Sequence, residues 1–351
     1  PGGKILTGLR KRWRRRKILY FNMNFSTQIP ISKSNHPIDY DSRVVSLGSC
    51  FAENIASKFD YYKFQTTTNP FGIIFNPVSI EKIIERVVQK NYFTEEDVFF
   101  RNDLWHCFEI HSELSQPNKE VFLNTLNLLI DSTYLEIKNA SHLVITYGTS
   151  WVYRNIESNE IVANCHKAPQ KAFQKELLSI ETIEKSIQNT IALFQSIHPK
   201  VQFIFTLSPV RHLKDGFVEN QQSKAHLIAA LHASNSQLPT FNYFPSYEIM
   251  MDELRDYRFY SEDMLHPNQV AIDYIWERFV ESTISEDSHR LMDEISGIQK
   301  SLLHKPFNPD SESHQTFLKQ LQQKIDQVQK KYPFILFNSW QPEEIHPQKH
   351  K

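Results

Sequence analysis

Residues 46–55 read SLGSCFAENI, led in by the apolar pair Val44-Val45. The stretch starts as a buried strand and ends as a helix, with only Gly48, Ser49 and Cys50 between the two patterns. A strand handed straight to a helix is the first half of a βαβ unit, the building block of a parallel sheet. Two more apolar runs, HLVITYG (142–148) and VQFIFTL (201–207), carry Val, Ile and Phe on both faces, as strands covered by helices require. A weaker fourth run is LPTFNYF (238–244). Helical periodicity fills the gaps, over 51–60, 78–90, 118–138, 179–197, 221–236 and 268–284. Pro199 and Pro209 punctuate the boundaries. The alternation predicts an α/β domain with a mostly parallel sheet. Residues 91–115 break the pattern and read as an inserted hairpin or loop layer.

The remaining sequence bounds the rest. The 351 residues are 40% hydrophobic and 23% charged, ordinary for a globular chain, with 8 Gly against 25 Phe and 14 Tyr. The net charge of −1 hides an arm at residues 1–22 that carries eight Lys/Arg and no acid. The remaining 31 basic and 40 acidic residues leave the body at −9, which argues against nucleic acid as its main partner. Met23 opens MNFSTQIPI like a natural start, so residues 1–22 read as an upstream extension. An anchor to nucleic acid or to an anionic membrane is the competing reading of this arm. No run of 18 apolar residues is present, so no membrane span is expected. Three cysteines (Cys50, Cys107, Cys165) cannot all pair and the arm makes a poor export signal, so free thiols and a cytoplasmic location are expected. From about residue 286 a helical extension is expected, in which Phe317, Leu318, Leu321, Ile325 and Val328 form an amphipathic stripe. The domains then read 1–22, 23–285 and 286–351.

In an open parallel sheet, ligands bind at the carboxyl ends of the strands. Here the three best strands end in Gly48-Ser49, Gly148-Thr149-Ser150 and Leu207-Ser208-Pro209. Ser49 is the candidate nucleophile, and its N–H, at a new helix start, is expected to face an oxyanion. Cys50 is the rival, expected to turn into the helix as a core residue. A serine needs a base and the base an orienter. SEDMLHPN (261–268) offers both, with Asp263 three residues before His266 in one turn. Arg211 is expected at the cleft rim, suited to a carboxylate or phosphate, and His166 beside the substrate. Cys165 and His166, with Cys50, are the sharpest metal candidates, but no Cys-x-x-Cys or His-x-x-x-His spacing supports a zinc site. Neither metal nor cofactor is expected.

The combination resembles the SGNH (GDSL-like) hydrolase superfamily. GSCFA at 48–52 resembles the signature of the GSCFA family within it. NPFGIIFNP (69–77), ITYGTSWVY (145–153), NCHK (164–167), LSPVRH (207–212), FPSYEIMMDELRDYRFY (244–260) and DMLHPN (263–268) follow in that family's order, across roughly residues 23–285. The resemblance implies a three-layer α/β/α sandwich of flavodoxin-like, SGNH type. It implies Ser49 as nucleophile, His266 as base, Asp263 as orienter and Gly72 as an oxyanion donor. The third block departs from the usual Gly-x-Asn-Asp, so Thr149, Ser150 or Asn164 would stand in for the missing amide. The implied function is a serine esterase or acyltransferase acting on an O-acyl ester, such as one on a glycan. The competing reading is a carbohydrate-binding module without turnover, using Phe71, Trp105, Trp151 and Tyr153.

Overall fold

The buried runs form strands for the reason the pattern gives: water reaches neither face. In the computed structural model, which describes residues 27–235 and 240–337, β1 (Arg43–Gly48) is buried at five of six positions. It passes through α1 (Cys50–Tyr61) to β2 (Gln65–Thr68), α2 (Pro77–Gln89), the hairpin β3 (Phe99–Arg101) and β4 (Leu104–His106), and α3 (Lys119–Asn139). Next come β5 (His142–Tyr147), β6 (Trp151–Asn155), β7 (Ile161–Val162), β8 (Phe173–Leu177), α4 (Ile180–Ile197), β9 (Gln202–Leu207) and α5 (Phe217–Asn235). The described chain closes with β10 (Phe241–Phe244), the single turn α6 (Ser246–Glu248), α7 (Gln269–Thr283), α8 (Glu286–Leu302) and α9 (Glu312–Lys331). A π turn at Ile249–Glu253 continues α6.

Five strands make one sheet in the order β10-β9-β5-β1-β2, every pair parallel. Counted along the chain, that order is 2-1-3-4-5. The chain therefore reverses its direction of travel across the sheet between β1 and β5. Crevices for ligands open at such a reversal, outside the carboxyl ends of the strands.

Alternate residues divide the core. Val45, Leu47, Leu143, Ile145, Phe203 and Phe205 face α2, α3, α4 and α5. Val44, Val144, Ile204 and Phe244 face α1, α7, α8 and α9. Each face of the sheet is thus covered by helices. The C-terminal helices share the second core through Ile295, Ile298, Leu321, Ile325 and Val328, so the amphipathic stripe of α9 packs on the body. The helix starts follow local chemistry: Asn76, Asn118, Ser179, Asn268 and Ser311 each accept a first-turn N–H.

Two features differ from the pattern-based expectation. β2 reads QTTT, an edge strand half-exposed throughout, with no apolar run to announce it. The segment 151–177, to which the pattern assigned no element, forms a separate antiparallel sheet, β7-β6-β8. The inserted layer expected over 91–115 does contain a hairpin, β3–β4. The fourth strand is limited to Phe241–Phe244. The basic arm at 1–22 lies outside the described residues. Among the described residues no helix is long and apolar enough to cross a membrane.

Candidate active site

At the carboxyl end of β1 the backbone turns on Gly48, whose φ is +137°. A Cβ there would stand 2.1 Å from the Thr146 carbonyl oxygen of β5, so only glycine fits. The Gly48 N–H donates to Asn69 Oδ1 at 2.8 Å, tying the NPFG segment to the same junction.

Ser49 is the N-cap of α1. It is 1% exposed, its Oγ accepts the Phe51 N–H at 3.3 Å, and its own N–H donates to the Thr146 carbonyl at 3.1 Å. The expectation of a free Ser49 N–H is therefore not met, because that N–H continues the β1–β5 ladder. Cys50, expected in the core, is instead half-buried as the first helical residue. The exposures of the two neighbours are thus the reverse of those expected. Burial, then the charge of Glu53, push the Cys50 thiol upward; the N–H groups of Phe51 and Cys50 and the Lys224 amine pull the other way.

The oxyanion donors expected from the third block are occupied. Thr149 Oγ1 and Ser223 Oγ on α5 lie 2.8 Å apart, Ser150 N–H donates to Ser223 Oγ at 2.8 Å, and Ser150 Oγ donates to the Ser223 carbonyl at 3.0 Å. These hydroxyls lock α5 to the end of β5. The Gly72 N–H donates to the Asn69 carbonyl at 2.7 Å within its own turn, where φ is +74°. Asn164 Oδ1 accepts the His166 N–H at 2.8 Å. His166 is buried in the hairpin layer beside Phe99, His106 and Phe108, with Nε2 2.6 Å from the Cys107 carbonyl. Burial holds its pKa down near 4, against the pull of that carbonyl, so it is neutral and buried. Among the described residues no group of three or more His, Cys, Asp or Glu is placed to hold a metal ion.

Asp263 and His266 do meet. Oδ1 accepts the N–H groups of Leu265 and His266 at 2.9 and 3.0 Å, and Oδ2 lies 2.5 Å from His266 Nδ1. The two backbone bonds, then the imidazole, hold the carboxyl down near 2. With Nδ1 taken as donor, Nε2 has no hydrogen-bond partner among the described residues and half of the side chain is open to solvent. This loop sits against the end of β9, where the Arg211 N–H donates to the Leu265 carbonyl at 3.2 Å. The Arg211 guanidinium donates to Tyr260 Oη at 2.7 Å and lies 4.5 Å from that ring's centroid. It forms no ion pair with a described carboxylate. No hydrogen bond joins His266 to Ser49 or Cys50.

Two further residues complete this edge: Lys224, which the sequence reading does not name, and His212, which it carries only within LSPVRH (207–212). Lys224 of α5 is 1% exposed and donates to the carbonyls of Gly148 and Ser208, both at 2.7 Å. Burial lowers its pKa to about 7, with Cys50 and Glu248 opposing. In the sequence it stands in ENQQSKAH, which reads as a solvated helix face, so nothing marked it. His212 stacks on Phe75, and its buried Nε2 has no hydrogen-bond partner among the described residues. Burial, then the charges of Lys224 and His266, push it down to about 3. Asn69 opens the NPFGIIFNP stretch but is given no role of its own by it, and only its contact with Gly48 distinguishes it from a turn residue. A groove of about 480 Å³ lies on the C-terminal helices, lined by His304, His314, Phe317 and Leu321, and it holds none of these groups.

No curated protein matches the chain. Residues 295–343 match a family model described as the GSCFA domain protein, C-terminal domain. Residues 43–279, which carry the whole parallel sheet and the Asp263–His266 turn, match the model of the GSCFA family. By that match over two thirds of its length, the chain belongs to the GSCFA family.

Proposed function

We propose that the chain is a hydrolase or acyltransferase of SGNH type, acting on an O-acyl ester such as one on a carbohydrate hydroxyl. The observation that carries this reading is the Asp263–His266 pair, with its free Nε2, on the loop bound to the end of β9. The 2-1-3-4-5 strand order supports it, because sheets with such a reversal commonly bind ligands outside the carboxyl ends of the strands there.

The exposures favour Cys50 over Ser49 as nucleophile. In this scheme His266 Nε2 takes the thiol proton, and the sulfur adds to the ester carbonyl. The Cys50 N–H, at the positive end of α1, faces the oxyanion. Collapse breaks the C–O bond. The leaving alkoxide takes the proton from His266, and a thioester remains. Water or an acceptor hydroxyl, deprotonated by His266, then attacks the thioester and the sulfur departs as thiolate. Asp263 holds the imidazole tautomer throughout.

Turnover of p-nitrophenyl acetate by wild type, Ser49→Ala, Cys50→Ala and His266→Ala tests it. We expect Cys50→Ala and His266→Ala to lose about a thousandfold or more in kcat/KM, with Ser49→Ala active. Activity that survives in Cys50→Ala and dies in Ser49→Ala returns the nucleophile to Ser49. Absence of turnover by wild type over a panel of acyl esters overturns the enzyme reading. One observation favours the binding module as second reading: neither candidate nucleophile hydrogen-bonds His266. Such bonds are often long before substrate arrives. Oligosaccharide binding by calorimetry, without turnover, distinguishes the two.

A further inference from the structure

An arginine drawn out of solvent is ordinarily neutralised by a carboxylate. Arg86 pairs with Asp97 and Glu109, Arg154 with Glu176, and Arg278 with Glu253 and Glu281. Arg211 is partly buried like them, yet no described carboxylate pairs with it. A guanidinium has five N–H donors, and Arg211 spends one, on Nη2, on Tyr260 Oη. The other four have no acceptor among the described residues. Neither Nε nor Nη1 is buried, so that edge of the fork stays open.

Aromatic rings hold the guanidinium in place. Its carbon lies 4.5 Å from the Tyr260 ring centroid and 5.7 Å from that of Tyr257. Tyr260 is 7% exposed, so the ring beneath the fork is fixed. A fork fixed by rings rather than by a carboxylate keeps its charge available and loses little freedom on binding. The Tyr260 hydroxyl accepts from Arg211, and its own O–H has no acceptor among the described residues, which adds a donor at the same spot.

The same two residues fasten the backbone on both sides of His266. The Arg211 N–H donates to the carbonyl of Leu265, one residue before the histidine, at 3.2 Å. Tyr260 forms a β-bridge with Pro267, one residue after it, and the Ser261 N–H donates to the His266 carbonyl at 2.8 Å. Imidazole and guanidinium are therefore carried on one unit.

We propose that Arg211, with the Tyr260 hydroxyl, binds an oxyanion group of the substrate, a carboxylate or a phosphate on the same molecule as the ester that His266 serves. The proposal names the substrate class of the site described above and rests on that reading. The class is an acylated anion, such as an O-acyl sugar acid or sugar phosphate, since a neutral glycan leaves the fork unfilled.

Binding tests this without turnover. The probes are 3-acetamidobenzoate, 3-acetamidophenyl phosphate and neutral 3-acetamidobenzamide, whose amides resist hydrolysis. Dissociation constants come from NMR titration of the full chain near neutral pH, with the His266 ring signals assigned by their loss in His266→Ala. In wild type at least one anionic probe binds about tenfold tighter than the neutral one and shifts the His266 ring. The tighter anion identifies the group. In Arg211→Met the preference falls to within about twofold. Arg211→Lys, which keeps the charge without the planar fork, lies between. No preference for either anion in wild type, a preference unchanged in Arg211→Met, or anion binding that leaves the His266 ring unmoved overturns the proposal. The wild-type comparison stands even if a variant fails to fold.

Turnover supplies a second readout, the ratio of kcat/KM for 3-acetoxybenzoate to that for its neutral methyl ester. Comparing this ratio between wild type and Arg211→Met cancels the intrinsic reactivities, and it falls about tenfold in the variant. Anion-selective binding at Arg211 without turnover of any ester removes the enzyme reading and keeps the anion site. Turnover whose ratio ignores the substitution removes this inference and keeps the enzyme.

Discussion

Gly48 holds the junction where β1 becomes α1, and its constraint is steric rather than chemical. With φ at +137° and the Thr146 carbonyl 2.1 Å from where a Cβ would stand, Gly48→Ala must move backbone on β1 or β5. Strain of this kind costs about 1–3 kcal/mol, and overpacking adds about as much. We expect Gly48→Ala to lower stability by roughly 3 kcal/mol or more in urea unfolding, whereas Gly297→Ala, with open space around its Cβ position, stays near wild type. One residue on, the side chains divide the work. Ser49 spends its hydroxyl and N–H on architecture, and that leaves Cys50 as the partly open group at the helix start. Local pattern reads both as small polar residues after a strand. Which one is buried and which half-exposed depends on the helix phase set by the Ser49 cap.

At the scale of elements, the turn 261–268 is built on one carboxylate. Asp263 accepts from Leu265 N–H, His266 N–H and His266 Nδ1, and the Ser261 N–H closes the turn on the His266 carbonyl at 2.8 Å. A folded-state pKa near 2, below the usual value of about 3.9, means the carboxylate contributes stability above about pH 4. That contribution is lost as pH falls through about 2. The difference in unfolding free energy between wild type and Asp263→Asn should be constant from pH 7 to about 5 and shrink on further acidification. A difference that grows in acid would contradict the assignment. This turn was legible because its partners lie three residues apart. The α5 clamp was not: Ser223 and Lys224 reach Thr149, Ser150, Gly148 and Ser208 across separations of 16 to 76 residues. Nor was β2, since an edge strand of Gln and Thr carries no hydrophobic period.

Across the whole molecule, the sheet separates two cores, and the second is completed from outside the α/β repeat. Leu321, Ile325 and Val328 of α9 join Ile38, Phe59 and Val44 there, and Tyr332 lies 5.6 Å from the Tyr40 ring. Truncation after residue 302 should therefore expose part of that core rather than release an independent module. We expect the truncated chain to melt at least several degrees lower and to bind more hydrophobic dye than the full chain. An unchanged melting temperature would show that α9 is dispensable to the fold. The family match supports treating these helices as a recurrent unit, since residues 295–343 match a C-terminal domain model of their own.

The sequence alone determined the α/β class, the main buried strands, the helices between them and the Asp263–His266 contact. All of these rest on short-range rules: short unbroken apolar runs, 3.6-residue periodicity and a turn. Tertiary structure decided the order 2-1-3-4-5, the packing of the C-terminal helices on the body, the half-exposed position of Cys50 beside a buried Ser49, and the burial of Lys224 at the strand ends. The reason is that burial is a property of the assembled layers. A lysine between polar neighbours reads as solvated until the ends of β5 and β9 close over it. Likewise, the Ser49 N–H is committed to the Thr146 carbonyl only when β1 and β5 pair.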